Sequence, residues 1–142
     1  MKYGVEVWRK AAKKISRAWV EKIVGKTLAE TKIGSADISV AFVGGKEIKK
    51  WNNLYRKKNK VTDVLSFSYN EKPLSGEIII CYPKALEQAK QKGWGVKKEI
   101  TTLLIHGILH LAGYDHEKSG REARKMDKLQ NKIFNLCLAL AV

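Results

Sequence analysis

Residues 97–116 read KKEITTLLIHGILHLAGYDH, and this stretch decides the fold. It contains no Asp, Glu, Lys or Arg from Ile100 through Tyr114. Its apolar residues recur at the spacing of one helix face, which predicts a buried central helix over Lys97–Ala112. Gly113 is the residue type that most readily ends a helix in a left-handed turn. We therefore expect a helix inside the core, after which the chain turns back on itself.

The only three histidines of the chain, His106, His110 and His116, all lie in this stretch. Residues four apart on a helix differ by about 40° around its axis, so His106 and His110 project from the same face. The turn at Gly113 brings His116 back toward them, which completes the pattern HxxxHxxGxxH. Three neutral imidazoles with one open position are typical of catalytic zinc, whereas structural zinc usually has four protein ligands. We predict one Zn²⁺ per chain, which lowers the pKa of a bound water to about 7.

Position 107 separates this pattern from the HExxH zinc proteases. In those enzymes the second position is a glutamate that acts as general base, and here it is Gly107. A zinc peptidase is therefore an alternative function whose usual hydrolytic machinery is incomplete. Nickel, copper and iron also bind three-histidine sites, so the native metal stays open.

The remaining sequence predicts one domain over residues 1–142, with strands and helices around the buried helix that carries the histidine pair. The expected helices and strands, besides the central helix, are a helix from Trp8 to about Thr31, a strand Asp37–Val43, a short helix Lys46–Tyr55, strands Val64–Tyr69 and Glu77–Cys81, a helix from Pro83 to about Lys92, and a last helix Gly120–Phe134.

Composition points to a polyanionic partner. Lys and Arg number 28 against 14 Asp and Glu, which leaves a net charge of +14. Such a surface favours nucleic acid, because cations that neutralise phosphates release condensed counterions, but composition alone leaves a solvated cationic surface open as the alternative. Cys81 and Cys137 each lie in an apolar run, which indicates buried reduced thiols rather than a disulfide framework. We see no secretory signal and no apolar run of the about 20 residues a membrane helix needs, so we expect a cytoplasmic protein without a membrane partner.

Three blocks of the sequence, taken together, resemble the YbeY family of rRNA maturation factors. The blocks occur in order with compatible spacing and are NNLYRKKNKVTDVLSF at 52–67, LSGEIII at 74–80 and HGILHLAGYDH at 106–116. The resemblance implies a single-domain α+β fold, with a small mixed sheet, a buried central metal-binding helix and a metalloprotease-like architecture. It also implies a metal-dependent, single-strand-specific endoribonuclease that acts in 16S rRNA 3′-end maturation and ribosome quality control. Its implied partners are an rRNA precursor and the small ribosomal subunit. By the family pattern His106, His110 and His116 bind zinc, and Arg56 acts on RNA in the same cleft.

Two positions depart from that pattern. The family often has aspartate where this chain has Glu77, which leaves open whether Glu77 has a role near the metal. It also often has proline where this chain has Val61, a change expected to alter only the stiffness of the loop.

Basic and acidic side chains complete the predicted site. Arg56, Lys57, Lys58 and Lys60 occupy a polar loop where guanidinium and ammonium groups can bind phosphates. The expected mechanism is attack of zinc-activated water on a phosphodiester, with zinc and Arg56 offsetting charge in the transition state. Asp115 and Glu77 are the candidates for general acid or base, and Asp115 can equally orient a histidine. A non-catalytic ribosome-assembly module that binds rRNA is a further alternative.

Overall fold

The computed structural model describes residues 2–115 and 119–140. Its helices and strands are β1 Lys2–Trp8, α1 Arg17–Glu30, β2 Ser35–Val43, α2 Gly45–Arg56, β3 Val64–Ser68, β4 Leu74–Cys81, α3 Tyr82–Lys92, α4 Val96–Leu111 and α5 Gly120–Cys137, followed by a short 3-10 helix at Leu138–Leu140. The sheet has the order β1-β2-β4-β3. Strands β1, β2 and β4 are parallel, and β3 runs antiparallel to β4. The predicted α+β fold with a mixed sheet is confirmed.

Helix α4 packs directly on β4, as a buried central helix should. A methyl group built on Gly107 of α4 would lie 3.2 Å from the Ile78 side chain of β4. One built on Gly76 of β4 would lie 2.9 Å from Leu111 of α4. The missing side chains at these two glycines let the helix approach the sheet closely, and helix α1 adds Val20, Ile23, Val24 and Leu28 to the same core.

The opposite face of the sheet has only partial cover. Helix α2 packs Ile48 against a second, smaller cluster that contains Leu65, Ile79 and Cys81. Cys81 and Cys137 are both buried and unpaired, and burial raises the pKa of each thiol. The prediction of buried reduced thiols is therefore confirmed.

The predicted helix from Trp8 to Thr31 was wrong in its first half. Trp8 ends strand β1, and α1 begins only at Arg17, where the Ser16 side chain accepts a hydrogen bond from the Trp19 N–H. Ala12 and Ile15 are buried, but they lie in a turn-rich connection rather than on a helix. These residues are spaced as on one face of a helix, because the turns of the connection also direct them into the core.

The other helices and strands begin and end within three residues of their predicted bounds. Strand β4 begins at Leu74, three residues before the predicted start, and α5 continues to Cys137 beyond the predicted end at Phe134. Across residues 2–115 and 119–140, no helix is both long and apolar enough to cross a membrane.

Candidate functional site

Residues from three separate parts of the chain line one cleft beside α4. Arg56 comes from the end of α2, His106 and His110 from α4, and Asp115 from the segment after α4. The start of β3 forms the opposite wall, and the cleft has a volume of about 470 Å³. The structure thus brings together four of the residues singled out from the sequence.

The two helical histidines lie side by side. Their ring centroids are 4.6 Å apart and the ring planes are inclined by 59°. His106 Nδ1 is 3.3 Å from Gln130 Oε1 on α5. When Nδ1 donates a proton to that oxygen, Nε2 carries the lone pair that a metal needs, which is a common arrangement for metal-binding histidines.

The third predicted ligand, His116, lies outside the described residues. Among the residues that the structure does describe, no group of three or more His, Cys, Asp or Glu side chains is arranged to hold a metal. The donor chemistry of His106 and His110 fits zinc, and the two side chains would be two of the three predicted nitrogen ligands.

The basic loop after α2 is anchored by a buried asparagine. Lys57 adopts a left-handed conformation with φ 56°, which ends the helix. Asn52, only 1% exposed, donates from Nδ2 to the carbonyl of Lys60 at 3.0 Å. Lys57, Lys58 and Lys60 are exposed on this loop and are not among the residues that line the cleft, whereas Arg56 is. Asn52 therefore fixes the loop that follows Arg56.

A chain of polar contacts, absent from the sequence predictions, links the cleft to α3 and α4. Asp63, at the entry to β3, accepts from the Val64 N–H at 2.8 Å and from Gln88 Nε2 at 3.3 Å. Gln88 Nε2 also donates to Glu99 Oε2 at 2.7 Å. Glu99 is fully buried, and its other oxygen accepts from Trp94 Nε1 at 3.1 Å and from Lys92 Nζ at 2.8 Å. These contacts hold β3, α3 and α4 together next to His106.

Two residues of this set of polar contacts stand out in the sequence. Glu99 stands at the start of an otherwise apolar helix, and Asp63 lies in the VTDVLSF block. Gln88 and Gln130 do not stand out in the sequence, because only the packing of α3 and α5 brings them to the site.

Glu77 does not belong to this cleft. Its strand neighbours Gly76 and Ile78 face α4, so Glu77 points to the opposite side of the sheet. There it accepts a hydrogen bond of 2.5 Å from the Tyr69 hydroxyl, a contact that raises the pKa of Tyr69 to about 12. The suggested role of Glu77 as general acid or base was wrong, because strand alternation places it on the far face.

The fold and the cleft define a class of protein. It is an α+β domain in which two histidines on a buried helix share a cleft with an arginine and a carboxylate. Comparison with known proteins makes the class specific. The family model described as Endoribonuclease YbeY matches residues 5–137, and the chain belongs to this family.

Individual relatives agree with the family assignment. A Persephonella marina protein named Endoribonuclease YbeY is 43% identical over 126 residues, which cover 84% of this chain and 82% of that protein. A protein of the same name from Thermodesulfovibrio yellowstonii is 52% identical over 103 residues, covering 69% of this chain and 65% of that protein. The solution structure of TM1509 from Thermotoga maritima matches with a TM-score of 0.66 and 32% identity, over 93% of this chain and 86% of that one.

Proposed function

We propose that this protein is a zinc-dependent endoribonuclease that hydrolyses single-stranded RNA. The observation that carries the proposal is the meeting of Arg56, His106, His110 and Asp115 in one cleft. The family to which the chain belongs and the names of its relatives agree with RNA as the substrate. The net charge of +14 adds attraction for a polyanion.

Each of the predicted site residues has a defined task in the proposed reaction. His106, His110 and His116 would hold one zinc ion per chain. Bound there, zinc supplies Lewis acidity toward water and a phosphate oxygen. The Arg56 guanidinium donates hydrogen bonds to the same phosphate and offsets the charge that develops in the transition state. Lys57, Lys58 and Lys60 attract neighbouring phosphates along the strand.

Asp115 is the proposed proton acceptor of the cleft. The cleft contains two carboxylates, and Asp63 already accepts hydrogen bonds from Val64 and Gln88. Asp115 follows the end of α4 beside the histidines, so we assign it the proton of the attacking water. A role in orienting a histidine is the alternative, and the variant Asp115→Asn separates the two. Loss of cleavage with full zinc content supports proton transfer, and loss of zinc supports orientation.

The biological substrate we propose is the 3′ end of a 16S rRNA precursor on the small ribosomal subunit, in maturation and in ribosome quality control. We propose that the protein acts in the cytoplasm. A peptidase is disfavoured by the packing of Gly107. This position, where HExxH proteases have the general-base glutamate, is a glycine packed on β4, and a Cβ added to it would lie 3.2 Å from the Ile78 side chain.

The proposal is tested with His110→Ala and Arg56→Ala on a labelled single-stranded RNA. We expect His110→Ala to abolish cleavage while the Kd for RNA changes by less than about twofold, because the basic surface is intact. We expect Arg56→Ala to keep its zinc and to lose cleavage by about 100-fold, the usual cost of one transition-state donor.

Arg124→Ala is the matched control, since Arg124 is exposed on α5 outside the cleft residues. It should cleave as the wild type does. Unchanged cleavage by His110→Ala would overturn the proposed function. Tight RNA binding without cleavage by the wild type would favour the assembly module instead.

A further inference from the structure

A second groove opens on the other side of His106. It is lined by side chains from β3, α3, α4 and α5 and has a volume of about 370 Å³. It shares Asp63, Val64 and His106 with the cleft, so the two form one continuous surface. Four neutral polar side chains distinguish it from the cleft, namely Gln88, Gln91, Thr102 and Gln130. We call it the amide groove.

The charges of the amide groove do not suit a phosphate. Its one cation, among the described residues that line it, is Lys92, and Lys92 is paired with Glu99 at 2.8 Å. Asp63 adds a second carboxylate. A ligand of this groove is therefore expected to be uncharged and to hydrogen-bond with amides and a hydroxyl.

The orientation of Gln88 is fixed by its partners. Both groups that it contacts, Asp63 Oδ2 and Glu99 Oε2, are carboxylate oxygens, which only accept hydrogen bonds. The amide nitrogen must face them, so Oε1 points elsewhere. Within residues 2–115 and 119–140 this oxygen has no protein donor. Gln88 lines the groove, so it brings there an acceptor oxygen on a side chain that a buried carboxylate holds in place.

Thr102 provides a second acceptor on the same side. Its hydroxyl donates to the Lys98 carbonyl at 3.1 Å, which leaves the oxygen lone pairs for a ligand. Residues three or four apart share a helix face, so Glu99, Thr102 and His106 follow one another along α4. Thr102 therefore lies between Glu99 and the histidine pair along α4, and Gln88 and Thr102 each contribute one acceptor to the groove lining.

We propose that the amide groove binds the nucleobase of the RNA residue next to the cleaved bond, and that it prefers bases with an exocyclic amino group. An amino group offers two N–H donors on one nitrogen, which matches two acceptors, whereas uracil offers only its single ring N–H. This inference rests on the proposed function, because it takes RNA as the substrate.

Binding of short RNAs tests the proposal without any need for cleavage. One RNA is an oligomer of eight cytidines and the other an oligomer of eight uridines. The two bases have the same size, but cytosine carries an amino group at position 4 where uracil carries an oxo group. We expect the wild type to bind the cytidine oligomer about fivefold more tightly in fluorescence anisotropy, the worth of about one net hydrogen bond. The variant Thr102→Val should reduce that ratio to less than about twofold, because it removes one of the two acceptors with little change in shape and leaves the basic surface intact.

The design avoids Gln88 itself, since its loss would strip partners from two carboxylates and endanger folding. Asn131→Ala is the matched control, an exposed amide on α5 beside Gln130 but outside the groove lining. It should keep the wild-type ratio, and unchanged thermal unfolding of all variants confirms that they fold. Equal affinities for the two oligomers in the wild type, or a Thr102→Val protein that discriminates as the wild type does, would overturn the proposal. Discrimination without cleavage would contradict the proposed function and leave the base-binding groove standing.

Discussion

Glu99 shows what single residues contribute next to the site. A buried carboxylate is costly unless its charge is balanced and its oxygens are hydrogen-bonded. Glu99 meets both conditions through Lys92, Trp94 and Gln88. The contacts with Lys92 and Trp94 fix the loop between α3 and α4, and the contact with Gln88 leads on to Asp63. The buried Glu99 therefore helps to hold the wall of the cleft in position.

The variant Glu99→Gln should be destabilised. The new amide has one acceptor oxygen for three donors, so at least one N–H faces another donor in the core. We expect the free energy of unfolding to fall by about 2 kcal/mol in urea denaturation. Glu87→Gln is the control, because Glu87 is exposed and its ion pair with Lys84 spans 3.6 Å in water; it should change stability by less than about 0.5 kcal/mol. Equal stability of the two variants would show that the buried network contributes nothing.

Tyr69 carries a pH-dependent contact. Its pKa is raised from 10.0 to about 12, first because its hydroxyl donates to Glu77 and then because burial disfavours the phenolate. A raised pKa means that the contact is intact below pH 10 and is lost as the pH rises through about 12. At pH 11 about a tenth of Tyr69 should be ionised, against about nine tenths of an ordinary tyrosine.

Phenolate absorbance at pH 11 measures this difference. The spectrum of the wild type minus that of Tyr69→Phe should show little phenolate, and the same difference in a Glu77→Gln background should show much more. If the wild-type spectrum minus the Tyr69→Phe spectrum at pH 11 already shows the absorbance of one complete phenolate, the contact is ruled out.

At the scale of secondary-structure elements, the close packing of α4 on β4 sets the position of the histidines. Local patterns made α4 predictable, because a long uncharged run and a terminal glycine both lie in one stretch of sequence. Strand β1 was missed although Tyr3, Val5 and Val7 alternate as a strand does. The apolar residues of the connection after it, folded into turns, imitated a helix.

The same limit applies to the site. The histidine pair and Arg56 belong to local motifs and could be predicted. The contacts of Gln88 join residues 11 and 25 positions apart, and no local pattern encodes them. They arise only when α3 packs beside α4 and β3.

Gly76→Ala tests the packing of α4 on β4. The added methyl would lie 2.6 Å from the carbonyl oxygen of Phe67 and 2.9 Å from Leu111, so the backbone must shift. We expect a loss of about 3 kcal/mol in unfolding free energy. Gly107→Ala should cost less, about 1 kcal/mol, because its contacts with Ile78 are longer and alanine favours the helix.

Gly34→Ala is the reference for these two variants, since nothing lies within 4 Å of its added methyl. Its stability should stay within about 0.5 kcal/mol of the wild type. A Gly76→Ala protein as stable as Gly34→Ala would mean that the helix does not approach the strand as closely as described.

At the scale of the whole molecule, charge is divided between surfaces. The chain has a net charge of +14, yet Glu6, Asp37 and Glu77 line one groove on the sheet face away from the cleft. The loop with Lys57, Lys58 and Lys60 follows Arg56 directly. The acidic groove lies on the far face of the sheet and the basic loop follows the cleft residue Arg56, so we expect a polyanion to approach from the side of the cleft.

The most direct test of this account measures zinc content and cleavage of single-stranded RNA on the same samples. The samples are the purified wild type and the double variant His106→Ala, His110→Ala. We predict about one zinc per wild-type chain with cleavage, and loss of both in the variant. Cleavage that persists in the zinc-free variant, or a wild type that cleaves without binding metal, would contradict the account.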